Sequence, residues 1–424
     1  MNMMKKRDRL ITFWNVPKGR SSWSLYKRLI KGNWLCLVLL APAPALPFIC
    51  NSAAFAADIP ESIHRAYIKG ATSVELPKDP VAIPLEGTSW LGNYRRAYVT
   101  VYVNGRGPYT FIFDTGSNVT TISSKVARDV SPTIVSDVPG HHAIAVLKVI
   151  RAGGVSMRKV YVVVADGDYV DGILGLNAFG LNTITIDMHN RKLVLGSSPP
   201  KDAAYFWLPY TLKRHHLPTI ELKMYGRSLS TLIDSGDDAY AWEGTTNDLR
   251  GLLLDGVPRE SALVYGGDQG TARTKVGTID GKLYLGPFFS DRPAVAINDS
   301  LPLPDIGIDV IRQFVVSFDR RRQVVGFRPL FSGKAFSTPG ELTYGIFISF
   351  RQLRRTIRDV LPGTAPASYQ ISPGDQILTM NGTNASEVSF RQWDEGLRMR
   401  RPLAITWLHR GKRMTGVFQV VELK

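Results

Sequence analysis

At 424 residues the chain is long enough for two or three domains, and its 44% hydrophobic content is that of an ordinary globular protein. The formal charge is +16, but residues 1–33 hold nine Lys or Arg against one acid, so half of the excess precedes one uncharged stretch, residues 34–56, and the mild remainder gives no ground for a nucleic-acid partner. The two cysteines, Cys36 and Cys50, both lie in that stretch, which excludes disulfides, thiol catalysis and cysteine-ligated metal from the rest of the chain.

The N-terminal layout has the form of a secretory signal over residues 1–56. A basic n-region precedes an apolar stretch, and Ala54-Phe55-Ala56 supplies small residues that place cleavage after Ala56. Left uncut, the segment would be a membrane anchor. Pro42, Pro44 and Pro47 argue against a stable spanning helix, because each removes a backbone donor. The expected location is exported, periplasmic or secreted, with a membrane involved only if the leader stays uncut. Residues 57–80 read as a linker.

Alternating strands follow. Residues 97–103 and 109–113 flank Asn104-Gly105, a hairpin-turn signal, and β-branched runs recur at residues 159–164, 183–187 and 192–195. Helical periodicity is sparse over residues 81–330, so this part is predicted to be mainly β. After Ser198-Pro199-Pro200 the pattern restarts. The run from Val99 to Arg106 aligns with the run from Thr219 to Arg227 across one gap, and Asp114-Thr115-Gly116 then meets Asp234-Ser235-Gly236. Downstream, Gly172-Ile173-Leu174-Gly175 answers Pro304-Asp305-Ile306-Gly307, and Asp187 answers Asp319. An internal duplication explains these matches, with one half over residues 81–197 and the other over 201–331.

Two carboxylates held close cannot both ionise cheaply, so over a range of pH such a pair holds one proton. The charged member can deprotonate a bound water while the protonated one donates to a substrate carbonyl oxygen. Asp114 and Asp234 are the candidates for this pair. Thr115 and Ser235 can hydrogen-bond backbone across the axis, and Gly116 and Gly236 permit unusual backbone angles and close approach. Gly175 and Gly307 are placed to pass behind the loops. After Gly116 stands Ser117, but after Gly236 stand Asp237 and Asp238, extra acids expected to repel the pair or raise its pKa values.

Phe111-Ile112-Phe113-Asp114-Thr115-Gly116-Ser117 with Gly172-Ile173-Leu174-Gly175 resembles the signature of the pepsin and retropepsin superfamily of aspartic proteases. The second set, Leu232-Ile233-Asp234-Ser235-Gly236 with Asp305-Ile306-Gly307, resembles it again. The resemblance implies two homologous β-barrel lobes, Asp114 and Asp234 as the catalytic pair, and a flexible hairpin flap. The flap candidates are Gly140 and His141 in the first half, and Gly266 and Gly267 in the second. It also implies a polypeptide substrate, no cofactor, and a monomer sufficient for one site.

Residues 332–340 read as a second linker. Residues 341–424 form a different unit, with strands predicted at residues 345–350, 376–380, 403–408 and 416–421 and a helix over 389–399. Tyr344-Gly345-Ile346-Phe347, then Pro373-Gly374-Asp375, then Asn381-Gly382, resemble a bacterial PDZ domain. That resemblance implies a turn, Tyr344 to Phe347, whose N–H groups meet the carboxylate of a C-terminal peptide added as a strand. The seven histidines show no metal-ligand spacing, so no metal site is expected. The whole reads as an exported aspartic endopeptidase with a PDZ domain. The alternative is an inactive, peptide-binding adaptor of the same fold, which Asp237 favours.

Overall fold

The computed structural model describes residues 72–424 apart from residues 77, 87–95, 137–141, 166–169, 214–215, 238–239, 253, 266–270 and 350–353. The leader, Asp238 and the flap candidates Gly140, His141, Gly266 and Gly267 lie outside the described residues. The described chain is mainly β.

The first hairpin sets the frame. In the strand Tyr98–Val103 the residues Val99, Val101 and Val103 are buried while Tyr102 is exposed, the period-two pattern of a strand with one face on the core. Asn104 and Gly105 both take positive φ, 50° and 84°, the left-handed pair that a two-residue hairpin turn requires. The return strand, Arg106–Asp114, starts exposed and ends fully buried, which carries Phe111, Ile112 and Phe113 into the core and leaves Asp114 at its tip. Gly172–Gly175 runs parallel beside it, with Asp114 opposite Gly175. Thr120–Ile122 pairs antiparallel with Gly172–Gly175 and parallel with Val155–Val164.

The second half repeats this order and these directions. Leu217–Met224 and Arg227–Ile233 form a hairpin whose turn, Tyr225-Gly226, again has two positive φ values. Asp305–Ile306 runs parallel to Arg227–Ile233, and Trp242–Gly244 pairs antiparallel with Asp305–Ile306 and parallel with Ala294–Ile297.

A third sheet joins the halves. Its order is Phe206–Pro209, Val324–Pro329, Phe314–Asp319, Thr183–Asp187, Lys192–Gly196, Val81–Pro84. At its centre Thr185 stands opposite Ser317, with their hydroxyls 2.9 Å apart, and each lies two residues before the matched Asp187 and Asp319. The boundaries at residues 197 and 201 are therefore crossed by one continuous ladder. Either half alone would leave a central strand edge unpaired.

Both expected linkers are partly structured. Ser73–Glu75, within residues 57–80, is an edge strand on Val155–Val164, and Val74 packs on the core. Residues 332–340 are strapped to the second half. Phe336 is buried, with its N–H donating to Phe289 O at 2.8 Å, and the Thr338 and Ser290 hydroxyls meet at 2.9 Å. Burial of an aromatic ring outweighs the loop-forming tendency of the Ser, Gly and Pro around it.

The C-terminal unit has its own core, including Trp393, Trp407 and Phe418. Its sheet runs Ile346–Ser349, Thr356–Val360, Gln376–Met380, Leu403–His409, Lys412–Phe418. The helix Phe390–Arg398 starts at a capping box, Ser389 with Gln392, which satisfies orphan N–H groups at its first turn. The run predicted over residues 416–421 is broken after Phe418, and Val421–Leu423 pairs instead with Glu341–Thr343. No helix of the described residues is long and apolar enough to cross a membrane.

Candidate active site

The two Asp-hydroxyl-Gly loops meet at the tips of Arg106–Asp114 and Arg227–Ile233. Four reciprocal hydrogen bonds lock them. Thr115 N–H donates to Ser235 Oγ at 3.0 Å, and Ser235 N–H to Thr115 Oγ1 at 3.0 Å. The Thr115 hydroxyl donates to Ile233 O at 2.6 Å, and the Ser235 hydroxyl to Phe113 O at 3.1 Å. All of these groups are buried, so each bond replaces one that water cannot make there.

The glycines serve space rather than backbone angle. Neither Gly116 nor Gly236 takes a positive φ, so neither is required for a left-handed backbone. A Cβ on Gly116 would stand 2.2 Å from Asp234 Oδ2, and one on Gly236 would stand 2.5 Å from the Asp114 carboxyl carbon. Each glycine thus admits the carboxyl of the opposite half. Behind them, a Cβ on Gly175 would strike the backbone of Val119 and Ser117, and one on Gly307 the Tyr240 carbonyl. Both glycines pass where no side chain fits.

Asp114 and Asp234 are almost fully buried. Gly116 N–H donates to Asp114 Oδ1 at 2.8 Å, and Gly236 N–H to Asp234 Oδ1 at 2.7 Å, so the loops aim the carboxyls by the same local bond. Each carboxyl reaches the glycine of the opposite loop, so the two face each other, and two carboxyls held this close cannot both ionise cheaply. Burial first, and the Asp114 carboxyl second, hold Asp234 well above the usual carboxylate range.

Ser117 does not support the pair through its hydroxyl. It donates to Val119 O at 2.7 Å, closing its own turn. In the second loop Asp237 N–H donates to Asp234 Oδ1 at 3.1 Å, and the Asp237 carboxyl lies against Gly307. Asp237 is joined on this side by the buried acids Asp305 and Glu243. Asp305 and Glu243 are held well above the carboxylate range, by burial first and then by Asp237. Glu243 accepts from Asn298 Nδ2 at 3.2 Å, while Asp305 Oδ1 has no hydrogen-bond partner among the described residues. Sequence reasoning flags Asp237 and Asp305 but passes over Glu243. Its signal is a lone acid in the otherwise uncharged run Tyr240-Ala241-Trp242-Glu243-Gly244. It also passes over Asn177, whose Oδ1 accepts from Thr120 N–H at 2.8 Å and braces the first loop's return strand.

In the C-terminal unit Tyr344 and Ile346 are buried, and Phe347 packs with Leu361, Leu423 and Tyr240 of the second half. Gly345 N–H donates to the Thr343 hydroxyl at 3.0 Å, so one donor of the expected carboxylate-binding turn is already used. Glu341 accepts from the Ser261 hydroxyl, and Ser261 Oγ lies 3.2 Å from Tyr240 OH.

Residues 99–178 match the family model of aspartyl proteases. The matched stretch takes in the first hairpin, the Asp114 loop and Gly172–Gly175, and the fold around them is aspartic-protease-like. No curated protein matches the chain.

Proposed function

We propose that the chain is an aspartic endopeptidase whose catalytic pair is Asp114 and Asp234. The observation that carries this reading is the reciprocal lock between the two loops, with each glycine facing the opposite carboxyl. Water held between the carboxyls loses a proton to the charged member as its oxygen attacks the peptide carbon. The protonated member donates to the carbonyl oxygen, and collapse of the tetrahedral intermediate sends a proton to the leaving nitrogen. The extra acids lie on the Asp234 side, which favours the proton there and leaves Asp114 as the base.

The repeated strand order supports an origin by duplication, which gives one site per monomer. The charge pattern of residues 1–56 supports export. The C-terminal unit is proposed to be PDZ-like and to take a peptide along Ile346–Ser349, the end strand of its sheet. Cleavage of protein substrates by the wild type and not by Asp114→Asn tests the peptidase reading. A second reading, an inactive peptide-binding adaptor, is favoured by Asp237, whose charge opposes ionisation of Asp234. A folded wild type that cleaves nothing, with cleavage appearing in Asp237→Ser, would establish it.

A further inference from the structure

A cavity of about 460 Å³ opens between the halves, lined by Asn118, Leu176 and Leu181 from one side and by Tyr210, Phe318 and Arg320 from the other. Leu176 and Phe318 form buried apolar walls, while Leu181 and Leu212 are exposed at its edge. Its size and mostly apolar lining are those of a small-molecule site.

Arg320 is the cation in this lining that lacks a matching charge. Its Nη1 donates to the carbonyls of Leu176 and Gly180, and no carboxylate among the described residues pairs with it. The nearest acid along the chain, Asp319, is turned to Arg322, accepting from its Nε and N–H and from Arg321 N–H. Burial pulls the guanidinium below its ordinary value. Arg320 is half-buried, and a cation partly withdrawn from water gains from an anion that meets it. The fold does not require one here, because the matching position in the first half, the residue after Asp187, is the buried Met188.

We infer that this cavity binds a carboxylate carried on an apolar body, with Arg320 receiving the carboxylate and Leu176, Phe318, Leu181 and Leu212 receiving the body. The planar guanidinium matches a carboxylate with two parallel N–H bonds, and Nη1 is already committed elsewhere, so Nη2 and Nε supply them. Either a free acyl carboxylate or the carboxyl end of an apolar peptide has this chemistry. The inference does not depend on the peptidase reading.

Calorimetric titration of the full chain with octanoate, octanol and the free acid of acetyl-dileucine tests it. The expected result is saturable binding of octanoate, of acetyl-dileucine, or of both, with octanol failing. The acid that binds identifies the source. Arg320→Gln should weaken binding by about tenfold or more. Because Arg320 also caps two carbonyls, Leu212→Trp provides a second variant that leaves the cation in place and fills the edge of the cavity, and it should abolish binding. If neither acid binds, if octanol binds equally, or if a folded Leu212→Trp retains wild-type affinity, the assignment is wrong.

Discussion

Asp305 stands directly opposite Glu243 across an antiparallel strand pair, two buried carboxyls on one face behind the Asp234 loop. Residues opposed in this way have their Cβ atoms about 5 Å apart. Ionising both at that separation, away from water, is unfavourable, and Asp237 adds a third acid to the same region.

Stability should therefore fall as pH rises. A carboxyl whose folded pKa is raised contributes stability that is fully present below its ordinary value of about 4, and that is lost as pH climbs through the folded value. Asp234, Glu243 and Asp305 are all raised, so their contributions have the same sign. Asp305→Asn removes one of the charges. Denaturant unfolding should show the variant more stable than wild type by about 1–3 kcal/mol at pH 8 and nearly equal at pH 4. A gain that is the same at both pH values would mean the effect is packing alone.

The same acids should extend activity toward neutral pH. The proton shared by Asp114 and Asp234 is retained longer because Asp237 opposes its loss. Replacing Asp237 by Ser should move the alkaline limb of the pH–rate profile down by about one unit, equivalent to about 1.4 kcal/mol. An unmoved limb would show that Asp237 does not act on the pair.

The reciprocal lock predicts a larger loss from a smaller change. Thr115→Ala removes the acceptor of Ser235 N–H and the donor to Ile233 O in one step. Both orphaned groups are buried, so the expected loss is about 2–5 kcal/mol of stability, with Thr115→Ser restoring most of it. Thermal unfolding of the three proteins checks this.

The C-terminal unit is predicted to unfold with the second half rather than alone. Leu361 and Leu423 pack on Tyr240, Val276 and Ala296, and Tyr240 OH reaches Ser261 and Thr274. Leu361→Asp places a charge in this cluster and should split a single unfolding transition into two. Calorimetric scans that show one transition in both proteins would contradict the coupling.

Much of the site is legible in the chain because its determinants are local. The turn at Asn104-Gly105, the burial of Phe111 to Phe113 and the Asp-hydroxyl-Gly triplets depend on near neighbours, and the matching of Thr115 with Ser235 follows from the repeat. What is not legible depends on distant partners. The Ser117 hydroxyl is taken by Val119 O, and Gly345 N–H by the Thr343 hydroxyl, neither of which a motif reveals. Phe336 is anchored by Phe289, 47 positions away (336 − 289), so a loop-like composition conceals a docked strap. The sheet across the halves pairs Thr185 with Ser317, 132 positions apart, which is why boundaries drawn along the chain do not divide the fold.

The central claim, that Asp114 and Asp234 share a proton and activate one water, is tested most directly by cleavage of a mixed peptide library across pH 3–8, wild type beside Asp234→Asn. The account predicts a bell-shaped profile for the wild type and no cleavage by a folded Asp234→Asn at any pH. Cleavage by that variant at the wild-type rate would contradict it.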